Sequence, residues 1–245
     1  MPGLAKPAYH LYRWLWGSLD LLFPAICCGC HKRGVLWCDE CQSKVIKISP
    51  PICSICGQPW DFPGLCRSCS SKKPNFKALR SWAKYEGPVG EAIRHLKYGR
   101  SISLGLILAE FMAELLVGVN WQIDLVIPVP LGVARLKERG YNQAALIAKP
   151  LALKRGLPYE THALARVRET RSQVGLAFDQ RLDNVRGAFQ AKSEKVNNRR
   201  VLVIDDVATS SATLDACGAA LTAAGANEVF GLTLARAGQF CSVTR

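Results

Sequence analysis

Beyond residue 75 the chain alternates short apolar runs with longer stretches in which apolar residues recur at helical spacing. The apolar runs predict four strands, at residues 78–85, 123–129, 200–204 and 229–234. The helical spacing predicts helices at residues 88–96, 104–115 and 213–223, and a further helix that begins at Asn142 and is interrupted at Pro150. Such alternation is typical of an α/β domain in which helices flank a mostly parallel sheet.

The first 75 residues follow a different pattern. Residues 10–23 place four leucines at helical spacing, Leu11, Leu15, Leu19 and Leu22. They predict an amphipathic helix that packs on its own protein or, as the alternative, lies on a membrane surface. Residues 27–69 are rich in Cys, Gly and Pro and cannot form an ordinary core, and the polar stretch 70–75 is typical of a linker. We therefore predict two domains, at residues 1–75 and 76–245.

Length and composition exclude a disordered chain and a membrane-spanning chain. The 245 residues are 49% hydrophobic, which is enough for a buried core. The longest apolar runs are far shorter than the roughly 20 residues of a transmembrane helix. The N-terminus lacks the pattern of a secretory signal, so we expect a cytoplasmic protein, with peripheral attachment to the inner membrane as the alternative.

Eight of the 11 cysteines form four C-x-x-C knuckles. In chain order the pairs are Cys27 with Cys30, Cys38 with Cys41, Cys53 with Cys56, and Cys66 with Cys69. A two-residue spacing lets one tight turn present two sulfurs to one metal ion, and two such turns complete a tetrahedral zinc site. Short loops favour the pairing of neighbouring knuckles, which predicts two zinc ions, and crossed pairing is left open.

The other features of the cysteine-rich segment give alternatives to this interpretation. Iron–sulfur ligation or a redox dithiol is the competing chemistry for the knuckles. Cys28 and His31 lie beside the first knuckle but break the two-residue spacing, and Cys217 and Cys241 are predicted to be ordinary buried thiols. Because four thiolates leave no open coordination position, the zinc is expected to be structural and not catalytic.

The charge balance favours anionic partners. The formal net charge is +13, from 32 basic and 19 acidic side chains. Two four-thiolate zinc sites of about −2 each would lower it to about +9, a balance that suits phosphates or nucleic acid. Residues 154–200 concentrate the excess, with eleven basic and five acidic side chains, although a solvated surface has the same composition.

The segment 200–213 carries the clearest signal of a binding site. An apolar run ends in Asp205 and Asp206, and hydroxyl-rich residues then open a helix. Free N–H groups at the start of a helix bind phosphate, and carboxylates at the carboxyl end of a parallel strand accept hydrogen bonds from ribose hydroxyls. The alternative is that Asp206 and Thr209 only cap the helix.

This segment resembles the 5-phosphoribosyl-1-pyrophosphate (PRPP) motif of type I phosphoribosyltransferases, in which an apolar strand runs into Asp-Asp and a Thr-Thr-Gly-x-Thr loop. The resemblance implies a type I phosphoribosyltransferase-like domain that binds PRPP, with Mg²⁺ engaged through the ligand. The implied PRPP-binding residues are Asp205, Asp206, Ala208, Thr209, Ser210, Ser211, Ala212 and Thr213. Ser211 stands where the family usually has Gly, and because Ser resists a positive φ, catalytic activity is left open.

Three further segments, together with the cysteine module, resemble the ComF family. Residues 127–143 resemble its loop at the pyrophosphate position, which implies Arg135 as a pyrophosphate contact and Arg139 as either a second contact or a structural residue. The segment 96–99, Leu-Lys-Tyr-Gly, also matches. Residues 166–189 resemble the basic loop that closes over the site, through Arg166, Arg168, Thr170, Gln173, Leu176, Arg181, Asn184 and Phe189.

The ComF resemblance implies a function in natural transformation, the cytosolic handling of incoming single-stranded DNA with protein partners of the competence machinery. Basic residues would contact phosphates, and Trp37 or Trp60 would stack on bases unless they belong to the ribbon core. The second hypothesis is an active phosphoribosyltransferase that transfers the 5-phosphoribosyl group of PRPP to an acceptor, for which the sequence assigns no catalytic residue. The third, which Ser211 favours, is a nucleotide-sensing or docking module without chemistry.

Overall fold

The fold centres on a parallel sheet in a computed structural model that describes residues 7–17, 25–99, 101–169 and 183–238, with the backbone alone at 13–17. The strands are β1 (Ala78–Lys84), β2 (Leu125–Pro128), β3 (Leu164–Arg166), β4 (Phe189–Ala191), β5 (Arg200–Ala208) and β6 (Glu228–Arg236). Four of them form the parallel sheet in the order β1-β6-β5-β2, and β3 and β4 form a separate antiparallel pair. The predicted mostly parallel α/β architecture is confirmed.

Helices cover both faces of this sheet. They are α1 (Pro7–Gly17), α2 (Asp39–Ser43), α3 (Arg67–Ser71), α4 (Gly87–Tyr98), α5 (Leu104–Val119), α6 (Val133–Arg139), α7 (Gln143–Arg155), α8 (Ser193–Val196) and α9 (Ala212–Ala223). Helices α4, α5 and α7 pack on one face and α9 on the other. Within the described ranges, no helix is both long enough and apolar enough to cross a membrane.

Burial on both faces explains the continuous apolar runs in β2, β5 and β6. In β5, Leu202 and Ile204 pack with α4, α5 and α7. Val201 and Val203 face α9 and the third and fourth cysteine knuckles. Successive side chains of a strand point to opposite faces. The two aspartates that follow in β5 are therefore on opposite faces of the sheet as well.

The cysteine-rich segment packs directly on the outer edge of β1. Ile48 N donates a hydrogen bond to Trp82 O (3.1 Å), and Lys84 N donates one to Ile46 O (2.8 Å). The backbone of β1 is thus paired on this side by a segment that precedes it in the chain. The domain boundary at residue 75 remains a prediction.

The opposite edge of the sheet is covered in the same way. Val126 N, in β2, donates to Pro158 O (2.9 Å), and Glu160 N donates to Val126 O (3.1 Å). The segment that follows α7 therefore pairs with β2.

Strand β5 is longer than predicted. It was expected to end before Asp205 and Asp206, but it continues through both to Ala208. Ladder pairing involves only the backbone, so the carboxylates do not end it, and Asp205 lies opposite Thr233 of β6.

The predicted interruption at Pro150 is wrong, because α7 runs through this residue to Arg155. Proline removes one helical N–H, which leaves the carbonyl of Leu146 without its usual donor. Gly105 of α5 approaches at this point so closely that a Cβ atom on it would lie 2.7 Å from Leu146 O. Packing against α5 thus keeps the proline-containing helix in place.

The N-terminal helix differs from its prediction in position and in its packed face. It begins at Pro7, and it packs on α7 through Tyr9, which is buried. Leu11 is 60% exposed, so the predicted apolar face is wrong at this residue. Leu19 and Leu22 lie outside the described residues.

Candidate functional site

The eight knuckle cysteines form two groups of four, each with all its sulfurs within 4.8 Å of one another. The groups are Cys27, Cys30, Cys38 and Cys41, and Cys53, Cys56, Cys66 and Cys69. Distances of 3.6 Å between the sulfurs of Cys27 and Cys38 and 3.7 Å between those of Cys56 and Cys66 are typical of the groups. Sulfurs bound at 2.3 Å to one tetrahedral ion stand about 3.8 Å apart, so both donor sets fit zinc. The grouping is the sequential one.

The other candidate ligands near the knuckles lie outside both groups. The sulfur of Cys28 faces Ile26 O at 3.9 Å, and the ring of His31 lies against that of His95, with 5.6 Å between centroids. Cys217 is a buried thiol of the main core, as predicted. Cys241 is outside the described part of the chain.

The loop between β5 and α9 forms a small cavity from residues that are contiguous in the sequence. Six of the predicted PRPP-binding residues line it, Asp205, Ala208, Thr209, Ser211, Ala212 and Thr213, together with Val207 and Leu214. Ser210 lies in the same loop, where its hydroxyl accepts a hydrogen bond from Ala212 N (3.4 Å). These residues lie at the carboxyl end of a parallel strand, and their assignment to PRPP remains a prediction.

Asp206 faces away from this cavity. Its side chain is buried, with Lys97 Nζ 2.5 Å from one carboxylate oxygen and Gln143 Nε2 donating to the other at 3.3 Å. Burial opposes the charged form, but the ammonium of Lys97 outweighs it and holds the pKa of Asp206 below its ordinary value. Asp206 is therefore a charged member of a buried network.

Asp205 has the opposite electrostatic environment. Burial and the neighbouring charge of Asp206 raise its pKa well above the ordinary value of an aspartate. The two adjacent carboxylates thus differ in partner, in face and in the direction in which their pKa is shifted. Only Asp205 is in a position to meet a molecule in the cavity.

Lys97 and Gln143 were given no individual role from the sequence. Arg139 Nη1 donates to Gln143 Oε1 (3.0 Å), and its guanidinium lies 5.0 Å from the centre of the Tyr98 ring. This arrangement favours the structural alternative for Arg139. The only sequence signal for Lys97 was its place in the segment 96–99.

Two further arginines, Arg135 and Arg166, lie near enough to each other for their charges to interact. Burial lowers the pKa of Arg166, at the end of β3, and the positive charge of Arg135 lowers it further. Asp205 acts on the same guanidinium in the opposite direction. The structure therefore brings Arg135, Arg166 and Asp205 into one neighbourhood.

The predicted closing loop lies largely outside the described residues, including Thr170, Gln173, Leu176 and Arg181. Its two ends are joined by Arg168, which donates from Nη2 to Arg186 O (2.6 Å) and Asn184 O (3.1 Å).

Comparison with known proteins identifies the family. A family profile described as a double zinc ribbon domain matches residues 18–70. Competence protein F of Haemophilus influenzae is 29% identical over 229 residues, 90% of this chain and 94% of that protein. The DNA utilization protein YhgH of Shigella flexneri is 30% identical over 205 residues, 79% of this chain and 89% of that protein. The chain belongs to the ComF family.

This ComF protein combines an N-terminal double zinc ribbon with an α/β domain built on a parallel sheet. A solved adenine phosphoribosyltransferase from Thermoanaerobacter pseudethanolicus is similar to it with a TM-score of 0.39 and 12% identity, over 81% of this chain and 98% of that chain. The two cysteine groups and the ribbon profile support structural zinc in the ComF chain.

Ser211 has the backbone geometry that glycine favours, at the position where the PRPP motif usually has Gly. Its φ is 64° and its ψ is 10°, in the left-handed region, and it directly precedes α9. A non-glycine residue in this region costs roughly 1 to 2 kcal/mol. Ser211 therefore adopts the left-handed conformation that the sequence argument expected it to resist.

Proposed function

We propose that this ComF protein assists the cytosolic handling of single-stranded DNA during natural transformation, and that its phosphoribosyltransferase-like domain binds PRPP. The cavity after β5, formed by Asp205 and the loop that precedes α9, is the observation that carries the ligand part of the proposal. Relatives named competence protein F and DNA utilization protein, together with the net charge of +13, support the DNA part.

In the proposed PRPP complex the loop and the start of α9 hold the 5-phosphate. Thr209 and Thr213 contribute hydroxyl donors beside the backbone N–H groups at the helix start. Asp205 accepts from a ribose hydroxyl, Arg135 contacts pyrophosphate, and Asp206 acts through its network with Lys97. Mg²⁺, if bound with the ligand, would neutralise phosphate charge.

Substitutions in the cavity are expected to weaken PRPP binding. In calorimetric titrations with Mg²⁺ present, Thr213→Ala and Asp205→Asn should each weaken PRPP binding by about 1 to 3 kcal/mol. Each substitution removes a hydrogen bond to a charged or polar ligand group. Thr222→Ala, at the exposed far end of α9, is the matched control and should bind as the wild type does. Wild-type affinity in both cavity variants would mean that the segment is only a strand end with a helix start.

The two tryptophans considered for base stacking have different neighbours in the structure. Trp37 donates from Nε1 to Gln42 Oε1 (2.7 Å) and packs on Phe111, so it belongs to the core. Trp60 lies against Phe62, with ring centroids 5.7 Å apart, and Phe62 is 57% exposed. The aromatic contact proposed for DNA is therefore Phe62 supported by Trp60.

Binding to single-stranded DNA is expected to show little sequence preference and a steep salt dependence. The logarithm of the binding constant should fall against log salt with a slope of about −0.7 for each phosphate neutralised. Reversing the exposed Lys72 and Lys73 to Glu should weaken binding more than their replacement by Gln, in fluorescence-anisotropy titrations at several salt concentrations. Absence of binding at low salt by zinc-loaded protein would count against direct DNA contact.

The second candidate function is an active phosphoribosyltransferase. The observation that favours it is the left-handed backbone of Ser211, which keeps the loop in the conformation that glycine would give. Release of pyrophosphate from PRPP, assayed across candidate bases and amines, tests this function directly.

A further inference from the structure

A buried arginine lies between the second zinc site and the loop after β5. Arg236, the last residue of β6, is 4% exposed. Its Nη1 donates to Cys56 O at 2.8 Å, and its Nη2 donates to Ser211 Oγ at 3.4 Å. One guanidinium therefore joins a zinc knuckle to the residue at which the loop backbone turns left-handed.

Arg236 lies beside the second cysteine group, and Cys56 O is one of its hydrogen-bond acceptors. Among the residues that the structure describes, it forms no ion pair with an Asp or Glu within 4.0 Å. Burial lowers the pKa of Arg236, and the neighbouring cysteines Cys56, Cys66, Cys69 and Cys53 act on it in the opposite direction. A four-thiolate zinc site carries a net charge of about −2, and a buried cation without a counter-charge is costly.

The knuckle that holds Arg236 is itself fixed to β1. Leu79 N donates to Ile55 O (2.7 Å), and Arg80 Nη2 donates to Ser54 O (3.0 Å). At Gly57, which has a φ of 68°, a Cβ atom would lie 2.3 Å from Leu79 O, so only glycine allows this approach. Cys56 O is therefore a rigid anchor for the guanidinium.

The other end of the link is the strained position of the loop. Ser211 is buried and has a φ of 64°, and its hydroxyl is directed to Arg236. A hydrogen bond from a charged donor offsets part of the cost of the left-handed conformation. Glycine could adopt this conformation without help, but it would have no side chain for Arg236 to hold.

We infer that Arg236 is a positioning residue for the loop at 209–213, and that zinc in the second cysteine group sets the conformation of this loop through Arg236 and Ser211. The part that concerns ligand binding rests on the proposed PRPP site. Coupling between two sites is reciprocal, so a ligand in the loop should also slow the loss of zinc from the second group.

Hydrogen exchange of the loop tests the link without any ligand. Arg236→Met should speed amide exchange in peptides that contain 209–213 by roughly tenfold, as expected for the loss of one hydrogen bond from a charged donor. Arg236→Lys, which keeps the charge without the two-armed geometry, should recover part of the protection. Arg80→Met is the matched control, because Arg80 contacts the same knuckle but not Ser211. Equal exchange in the wild type and Arg236→Met, or equal loosening by Arg80→Met, would overturn the inference.

The metal side of the link is tested by removing one ligand from each ribbon. Cys69→Ser, in the second group, should speed amide exchange of the loop more than that of β2, whereas Cys41→Ser, the corresponding ligand of the first group, should leave loop exchange near the wild-type rate. Loop exchange that responds equally to both variants would contradict a specific connection.

Zinc release to a colorimetric chelator, with and without ribose 5-phosphate, tests the coupling to the ligand. Ribose 5-phosphate should slow zinc release from the wild type severalfold. In Ser211→Gly, zinc release should be equally fast with and without the sugar phosphate. Retention of the full effect in Ser211→Gly would refute the proposed route. If ribose 5-phosphate does not bind at all, the proposed PRPP site fails, and the exchange experiments still decide whether Arg236 positions the loop.

Discussion

Removal of both zinc ions is expected to unfold the whole protein and not only its ribbons. All four sulfur ligands of the second group pack in one core with Leu79, Val203 and Leu214. Structural zinc contributes about 10 kcal/mol or more, which is comparable to the total stability of a typical domain. Thermal unfolding followed by circular dichroism, before and after chelation, should show loss of the cooperative transition of the α/β domain, and elemental analysis should give two zinc ions per chain.

The cysteines outside the two groups provide controls for this experiment. Cys217→Ser and Cys28→Ser should both retain two zinc ions, because neither sulfur belongs to a group of four. A reproducible value near one zinc, or iron with sulfide, would contradict the double-ribbon assignment. An α/β domain that melts unchanged after chelation would show that the shared core contributes little.

Lys97→Met is expected to destabilise the protein by up to about 3 kcal/mol at neutral pH, because it leaves the buried carboxylate of Asp206 without its cation. This is the lower end of the range for a broken buried pair, since the Lys97 side chain remains 23% exposed. Denaturant unfolding measures the loss. The double variant Lys97→Met with Asp206→Asn should recover most of it, because the unpaired charge is then absent.

The pH dependence gives a second readout of the same pair. In the wild type the pKa of Asp206 is lowered, so its contribution to stability is present above the ordinary aspartate pKa and is lost as the pH falls through the folded-state value. In Lys97→Met the uncompensated burial should raise this pKa, and the difference in stability between the two proteins should shrink on acidification. A difference that is constant with pH would exclude Asp206 as its source.

Sequence patterns predicted the fold better than the ends of its elements. The strands β2, β5 and β6 were recognisable because strands buried on both faces form continuous apolar runs. The two aspartates led to a predicted end of β5 that is too early, because pairing with β6 depends on the backbone and not on the side chains. Pro150 likewise led to a predicted interruption of α7 that does not occur. Both errors arise because neighbouring elements override a local signal.

The residues of the candidate site also fall into those that the sequence predicted and those that it did not. Its cavity is made by a contiguous segment of β5, loop and α9, so one local motif was sufficient to find it. Lys97 and Arg236 come from distant parts of the chain, and their partners are set by the packing of α4 and β6. A single sequence contains no spacing rule that connects either of them to the loop.

The covered edges of the sheet bear on how this protein behaves at high concentration. An open strand edge is a template on which a second chain adds a strand, and long apolar strands with free edges therefore aggregate. Here Ile46 and Ile48 occupy the edge of β1, and Pro158 and Glu160 occupy that of β2. The ribbon module thus protects the β1 edge of the sheet from edge-to-edge association. A chain shortened to remove the module would expose the β1 edge to other copies of itself.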